Sequence, residues 1–386
     1  MRLVDIRQAT VPISRYADAS ISSGNLDTTI VAIITDAYRA GEPIVGFGFS
    51  SIGRYGQSGL IRDRFAPRLL AAPAEDLCAA DGNIDPFRAW QCMMLGEKPG
   101  GHGERCVAVG TLDMALWDLA AKVAEEPLYQ FLGKVIGIEQ TSQQVPVYAG
   151  GGYYFPDDDI GRLTTEVRQF LDQGHTHIKM KIGAVPLEDD LKRIEAILDL
   201  LPDGSHLAVD AMNRYSPEMA IRAAQALQPY KLWWFEDICD PLDFTTHERV
   251  AAEYSPPIAA GEALFSAADA TNLIRYAGLR RNHDIFVFDP VHCYGVPEYL
   301  QIAEMLEDNG WSRQSCWPHG GHLFSLHLAA ALKLGGNECN PHNFQPFGGF
   351  ADGAEISEGF ATLPDVPGVG FATRPQLMNL FSALLT

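Results

Sequence analysis

Seven side chains stand out by type and spacing: Lys179, Lys181, Asp210, Glu236, Glu262, Asp289 and His319. From Lys181 onward each follows the last by roughly 30 residues, about the length of one strand-helix unit. Groups in that phase fall at the same end of consecutive parallel strands, which in a barrel is the end where active sites form. Three of them in a row, Asp210, Glu236 and Glu262, are carboxylates. Three negative charges share a pocket only if something offsets them. A hard divalent cation does so, and an all-oxygen donor set favours Mg²⁺ over zinc. The competing reading of the same three acids is an acidic rim holding lysines.

Acid/base groups flank this expected metal site. In Lys179-Met180-Lys181 the alternate residues of a strand face the same way, so both amines point into the barrel. Two neighbouring lysines beside a cation are expected to depress each other's pKa, so that one serves as a base. On the other side Asp289 is placed to hold the His319 imidazole and set its tautomer. That arrangement suits removal of a proton α to a carboxylate, with the cation stabilising the enediolate. Glu338 falls near the eighth strand, positioned either to hydrogen-bond a substrate carboxylate or to cap a helix as a loop acid.

The elements that must position these groups can be read from the chain. Thr28–Thr35 and Glu42–Phe49, joined by a polar turn, read as an antiparallel pair. Helical spacing runs through Gly110–Leu132, with Pro127 starting a new turn and Gly133 as a C-cap. From about residue 145 strands and helices alternate. The strands are Val145–Ala149, His177–Ile182, Leu207–Asp210, Leu232–Glu236, Ile258–Gly261, Ile285–Asp289 and Ser315–Trp317. The helices are Thr165–Gln173, Pro186–Leu201, Pro217–Leu227, Asp243–Tyr254, Ala267–Ala277, Val296–Asn309 and Leu323–Leu334. This alternation predicts an α/β fold with a parallel barrel. A doubly wound open sheet is disfavoured, because no Gly-x-Gly-x-x-Gly follows any strand.

With 386 residues and 47 % hydrophobic content the chain is globular, and no apolar run is long enough to span a membrane. The net charge of -20 argues against a nucleic-acid partner. It also requires a local cationic pocket if the substrate is an anion. The N-terminus shows no signal peptide, and the seven cysteines include no Cys-x-x-Cys. Reduced thiols in a cytoplasmic protein are the expectation. His322 is expected to support the site from behind, His102 to be a loop residue without an assigned partner, and Asp157–Asp159 to be a solvated helix start. Tyr153 is expected to pack against other aromatics, with pocket lining as the alternative.

These residues resemble the enolase superfamily, in its mandelate racemase group. The likeness rests on Lys179-Met180-Lys181, one acid per strand at Asp210, Glu236 and Glu262, the Asp289/His319 pair, and Ala115-Leu116-Trp117-Asp118-Leu119-Ala120 with Pro127-Leu128-Tyr129. The resemblance implies a (β/α)7β TIM-like barrel over residues 131–345. An α+β capping domain would be formed by residues 1–130 and a C-terminal segment, 346–386, that returns to it. It also implies Mg²⁺, a small-molecule carboxylate substrate, and a homo-oligomer from dimer to octamer.

Within the group the chain looks most like enzymes that dehydrate D-tartrate, through Gly53–Gln57, Glu97–Arg105, Pro318–His322 and Gly335–Glu338. By that likeness Lys181 takes the α-proton, His319 protonates the departing β-hydroxyl, and Lys98 contacts the second carboxylate. A D-tartrate-like diacid is then the leading substrate and a 2-keto acid the product. Two positions depart from the pattern. Met212 stands in Asp-Ala-Met-Asn where the family has Asn, and Ile52 replaces another Asn. An apolar pair there leaves a substrate hydroxyl unpaired, at about 1–3 kcal/mol. The alternatives are a racemase or epimerase using the same Lys/His pair, a non-catalytic binding protein on this fold, and a Schiff-base aldolase using Lys179 or Lys181.

Overall fold

The β-branched run of residues 27–39 forms the central strand of a three-stranded antiparallel sheet, β1 (Leu3–Pro12), β2 (Asp27–Arg39) and β3 (Glu42–Phe49). β1, a half-buried strand, was not anticipated from the sequence. The computed structural model describes residues 1–138 and 140–386. Against this sheet lies the helix Glu104–Val123, whose residues 106–121 are all buried. A helix apolar all round is one covered on every side. On one side Asp118 accepts from the Phe47 N–H at 2.9 Å; on another Asp113 accepts from the Val296 N–H at 2.7 Å, joining the sheet to the barrel.

Gly110 marks the closest approach of that helix to the barrel: a Cβ there would lie 1.9 Å from the Val291 carbonyl oxygen. Gly110→Ala is therefore expected to cost about 3 kcal/mol, the upper end for overpacking. The check is a lowered urea midpoint at unchanged slope. Gly133 does not cap a helix. It sits inside Leu128–Val135, where a Cβ would meet Thr141 Cγ2 at 2.4 Å, and Gly137, with φ +75°, takes the left-handed position beyond the helix.

The second sheet is parallel through β4 (Gln144–Gly150), β5 (Ile178–Lys181), β6 (Leu207–Asp210), β7 (Trp234–Glu236), β8 (Ile258–Ala260) and β9 (Ile285–Phe286). β10 (Asn337–Cys339) pairs parallel with β4. The seventh stave is not the regular strand expected at Ser315–Trp317. Arg313–Ser315 is a 3₁₀ turn, and only Cys316 forms a ladder bridge, to Phe286. Backbone bonds still carry the ring across this gap: Trp317 N–H to Phe286 at 2.8 Å, His319 N–H to Val287 at 3.4 Å, and Glu338 N–H to Pro318 at 3.3 Å. The result is a closed (β/α)7β barrel.

Seven helices follow the first seven staves. Pro217–Leu227 begins and ends where the sequence predicts. The first barrel helix starts at Asp159 rather than Thr165, because Asp159 bonds both the Phe155 N–H and the Arg193 guanidinium, each at 2.7 Å. So Asp159 is a structural anchor, while Asp157 and Asp158 are exposed. The C-terminal segment divides its contacts. β11 (Ile356–Ser357) and β12 (Phe360–Thr362) form an antiparallel hairpin that extends the barrel sheet at β4. Helix Pro375–Ser382 stacks Phe381 on Phe47 at 4.8 Å, and Leu384 accepts from Arg7 at 2.9 Å, on the first sheet. All seven cysteines are free, and among the described residues no helix is long and apolar enough to cross a membrane.

His175, just before β5, is 2 % exposed and neither ring nitrogen has a hydrogen-bond partner. Burial, reinforced by His342, pushes its pKa down to about 4. The unfolded chain therefore takes up a proton that the native state resists. Stability at this residue is complete above the ordinary imidazole pKa and falls as pH drops from about 6.5 to 4, by up to roughly 3 kcal/mol. His175→Phe is expected to flatten this part of the decline in Tm with falling pH; an unchanged slope would show that His175 does not contribute.

Candidate active site

The register of the parallel sheet builds the site. Lys181 pairs with Asp210 across β5 and β6, and Asp210 with Glu236 across β6 and β7, so the three stand in one row at the carboxyl ends of their strands. Glu262 lies two residues past β8. One oxygen from each of Asp210, Glu236 and Glu262 lies within 4.8 Å of the others. Asp210 and Glu236 are buried and Glu262 is partly exposed. Burial, with the like charges of Asp210 and Glu262 adding and Lys179 opposing, pushes the Glu236 carboxyl up to about 7. Burial also acts to raise Asp210 and Glu262. For Asp210 the Lys181 and Lys179 amines win, and for Glu262 His319 heads the opposing charges, so both end below the usual carboxylate range. Trp234 Nε1 donates to Glu236 Oε2 at 2.7 Å and fixes its rotamer.

Both lysines of β5 point into this cluster while Met180, between them, packs among apolar side chains outside. Lys179 is fully buried, with Nζ 2.6 Å from Glu236 Oε1 and 3.0 Å from Glu338 Oε1. Lys181 Nζ bonds Asp210 and sits 5.3 Å above the Tyr153 ring. The expected depression is present at Lys181, which the Lys179 charge lowers, but it is outweighed. Burial pulls both down, but the surrounding carboxylates, Glu236 and Glu338 for Lys179 and Asp210 for Lys181, overcome it and hold both above the ordinary lysine value.

Across the barrel mouth, His319 Nδ1 is 2.9 Å from Asp289 Oδ2, and His319 Nε2 is 3.3 Å from Glu262 Oε2. Burial acts to lower His319, but Glu262 and the Asp289 bond bring it up to about 9. Asp289 is held well below the usual carboxylate range: burial works against this, and His292 and His319 prevail. The imidazole therefore bridges two carboxylates, one at each nitrogen.

The loop following β3 closes on this pair. Ser51 Oγ donates to Asp289 Oδ2 at 2.6 Å, and a Cβ on Gly53, with φ +82°, would stand 3.8 Å from His319 Cε1. Ile52, between them, is 2 % exposed within the core. Met212 also has positive φ, and its N–H donates to Asp210 Oδ1 at 2.7 Å. Glu338 accepts from the Gly320 N–H at 3.1 Å besides pairing with Lys179. Lys98 is not brought to the cluster. It is exposed, and among the described residues its amine has no ion pair or hydrogen bond. His102 has a partner after all, Tyr294, with Nδ1 to hydroxyl at 3.2 Å. His322 caps the helix Leu323–Leu332, accepting from Ser325 N–H at 3.3 Å, and touches Ser51 Oγ at 3.1 Å. Tyr153 packs on Tyr16 and Phe344 as well as Lys181. Tyr154 binds Asp190 at 2.6 Å instead.

Three residues near the site escaped the sequence reading. Ser51 acts from the other end of the chain. Asp237, adjacent to Glu236, is buried and bonded by Asn213 Nδ2 at 2.8 Å, its carboxyl raised by burial and by Glu262 and Asp210. His292, three residues past Asp289, is 1 % exposed. Only the Asp237 and His292 spacings held any signal, as extra acid/base groups just past a strand end.

A barrel whose strand ends gather three acids between an amine and an acid-held imidazole defines a class of enzyme folds, and the comparisons identify it. The model described as mandelate racemase/muconate lactonizing enzyme, N-terminal domain, matches residues 11–133, and that described as enolase C-terminal domain-like matches residues 162–377. The chain belongs to the enolase superfamily, in the mandelate racemase group. Arabinonate dehydratase of Saccharolobus solfataricus is 31 % identical over 286 residues, covering 71 % of this chain and 72 % of that protein. L-talarate/galactarate dehydratase of Salmonella typhimurium is 29 % identical over 379 residues, covering 97 % and 89 %. The crystal structure of L-talarate dehydratase from Polaromonas sp. JS666, complexed with Mg and L-glucarate, has a TM-score of 0.73 at 27 % identity, covering 95 % of this chain and 92 % of that one. Both curated relatives are acid-sugar dehydratases.

Proposed function

We propose that this chain is a Mg²⁺-dependent acid-sugar dehydratase that removes the proton α to a carboxylate and eliminates the β-hydroxyl, giving a 2-keto acid. The observation that carries this reading is the arc Lys181–Asp210–Glu236–Glu262–His319: an amine at one end, an imidazole at the other, and three carboxylates between them within 4.8 Å of one another. Three oxygen donors without sulfur fit a hard divalent cation, and the magnesium in the Polaromonas relative agrees with that choice. When bound, the ion would supply the positive charge that stabilises the negative charge building on the substrate carboxylate.

Lys181 is the base in this proposal: Asp210 holds its proton on, and a cation held by Asp210 would offset that charge and let the amine release it. It is the less enclosed of the two amines, at 7 % exposure against 0 % for Lys179. Lys179, locked between Glu236 and Glu338, supplies positive charge and orients Glu236. His319 delivers a proton to the leaving hydroxyl from Nε2, with Asp289 holding Nδ1. Burial of Lys179, Lys181, Asp210 and Glu236 excludes water from that part of the row, so their charges act in a low-dielectric setting. Lys179, Lys181 and the cation form the cationic pocket that an acidic protein needs for an anionic substrate.

The substrate proposed first is a short diacid of the D-tartrate kind, with Lys98 assigned to one carboxylate, Glu338, in its protonated form, to the other, and Ile52 and Met212 lining the pocket. Lys98 would have to move inward with its loop. The reading is supported by the motif likeness at Gly53–Gln57 and Pro318–His322 and by curated relatives that dehydrate sugar acids. A panel of mono- and diacid sugars with added Mg²⁺, assayed for 2-keto acid, tests it. Keto acid from D-tartrate supports the short-diacid reading; keto acid only from five- or six-carbon acids moves the substrate but keeps the reaction. α-Deuteration with inversion and no loss of water would replace dehydration with racemisation.

Ser51→Ala removes a hydrogen bond to a charged carboxylate, a contact of about 1.5–3 kcal/mol. Ser51 touches Asp289 rather than substrate in this proposal. Its loss is expected to lower kcat by roughly tenfold or more, with KM little changed. A raised KM at constant kcat would put Ser51 in substrate binding instead.

A further inference from the structure

We propose that Asp289, His292 and His319 form a second metal site, selective for a borderline cation such as Zn²⁺, and that filling it stops the reaction by engaging His319. One donor atom from each residue lies within 4.8 Å of the other two. His292 Nδ1 is 3.7 Å from Asp289 Oδ2, and His319 Nδ1 is 2.9 Å from the same oxygen. Tetrahedral zinc, with bonds of about 2.0–2.2 Å, sets its donor atoms roughly 3.4 Å apart. Those separations bracket that value, so small ring rotations suffice. The two imidazoles already lie with centroids 5.5 Å apart and planes 37° from parallel.

A second, independent observation points to a ligand. His292 is 1 % exposed, and neither of its ring nitrogens has a hydrogen-bond partner. A buried polar group left unpaired is costly, and a cation using its lone pair relieves that cost. Burial, ahead of the opposing Asp289 charge, holds the imidazole neutral near neutral pH, with its pKa at about 4. Asp289 and Glu262 favour a cation here; His319, while protonated, and then Arg54 oppose one. The donor chemistry separates this site from its neighbour. Two nitrogens and one oxygen suit zinc, whereas the all-oxygen trio suits magnesium. Binding requires His319 to turn a lone pair of Nδ1, which now faces Asp289, toward the metal.

Inhibition rests on the role proposed for His319, but zinc binding does not, so the two are tested apart. Calorimetric titration of Zn²⁺ into the full chain in excess Mg²⁺ is expected to show one zinc site. His292→Leu, which keeps the bulk and removes the donor, and His292→Gln are expected to weaken that site at least about tenfold; thermal unfolding confirms that each variant is folded. Co²⁺ gives a readout that needs no variant: strong visible absorption of a four-coordinate, nitrogen-containing site is expected in excess Mg²⁺. Absence of zinc binding, equal affinity in the wild type and both folded variants, or only the weak absorption of a six-coordinate oxygen site would overturn the proposal.

Discussion

Lys181→Met is expected to abolish 2-keto acid formation and solvent exchange of the α-proton together, each by about 10⁴-fold. Methionine fills the same channel beneath Tyr153 but cannot accept a proton, and Asp210 loses the amine bonded to it. The informative contrast is His319→Asn. An asparagine amide can still donate to Asp289, but it cannot protonate a leaving hydroxyl. That variant is expected to lose dehydration by a similar factor while Lys181 continues to exchange the α-proton. Proton NMR in D₂O, following the α-signal and the keto product separately, reads both variants at once. If Lys181→Met kept exchange, the base would be another group, with Lys179 the first candidate. If His319→Asn lost exchange as completely as Lys181→Met, the division of labour proposed here would fail.

The second large effect concerns the carboxylates. Glu236→Gln is expected to lower Mg²⁺ affinity at least about 10- to 100-fold, the range seen even for groups behind the ligands, and to lower turnover by about 10³-fold or more at saturating Mg²⁺. Glutamine keeps the size of Glu236 and an oxygen facing the Trp234 indole. Lys179 retains Glu338 at 3.0 Å, so the fold is expected to survive. In the wild type a chelator should abolish activity, and returned Mg²⁺ should restore it. Full activity in stripped protein, or Glu236→Gln with unchanged magnesium dependence, would count against a metal held by these acids.

The parallel barrel explains why so much of this site was legible in the chain. One functional position per strand end turns a three-dimensional cluster into a period of roughly 30 residues. The register then delivers Lys181, Asp210 and Glu236 as a row. Ser51 was illegible because its contact with Asp289 spans 238 residues and comes from a loop without periodicity. His292 and Asp237 were overlooked because a group just beyond a strand end has the same local pattern as a helix cap. Gly133 was misread because a glycine needed for close approach to Thr141 looks, in sequence, like one that ends a helix. The upward lysine shifts are hidden in the sequence for a different reason. Along the chain each amine of Lys179-Met180-Lys181 has only the other beside it, whereas the charges nearest to them in the folded chain are Asp210, Glu236 and Glu338. The stave at Cys316 shows how little ladder pairing the barrel needs to close there, since isolated backbone bonds bring His319 to the mouth as well as a longer strand would.

The most direct measurement is anomalous diffraction from crystals soaked in Mn²⁺ as a substitute for Mg²⁺. The proposed centre predicts one strong peak bonded by oxygens of Asp210, Glu236 and Glu262, with Lys181 and His319 on opposite sides of it. A fully occupied manganese elsewhere, or none between those three carboxylates at saturating concentration, would contradict it.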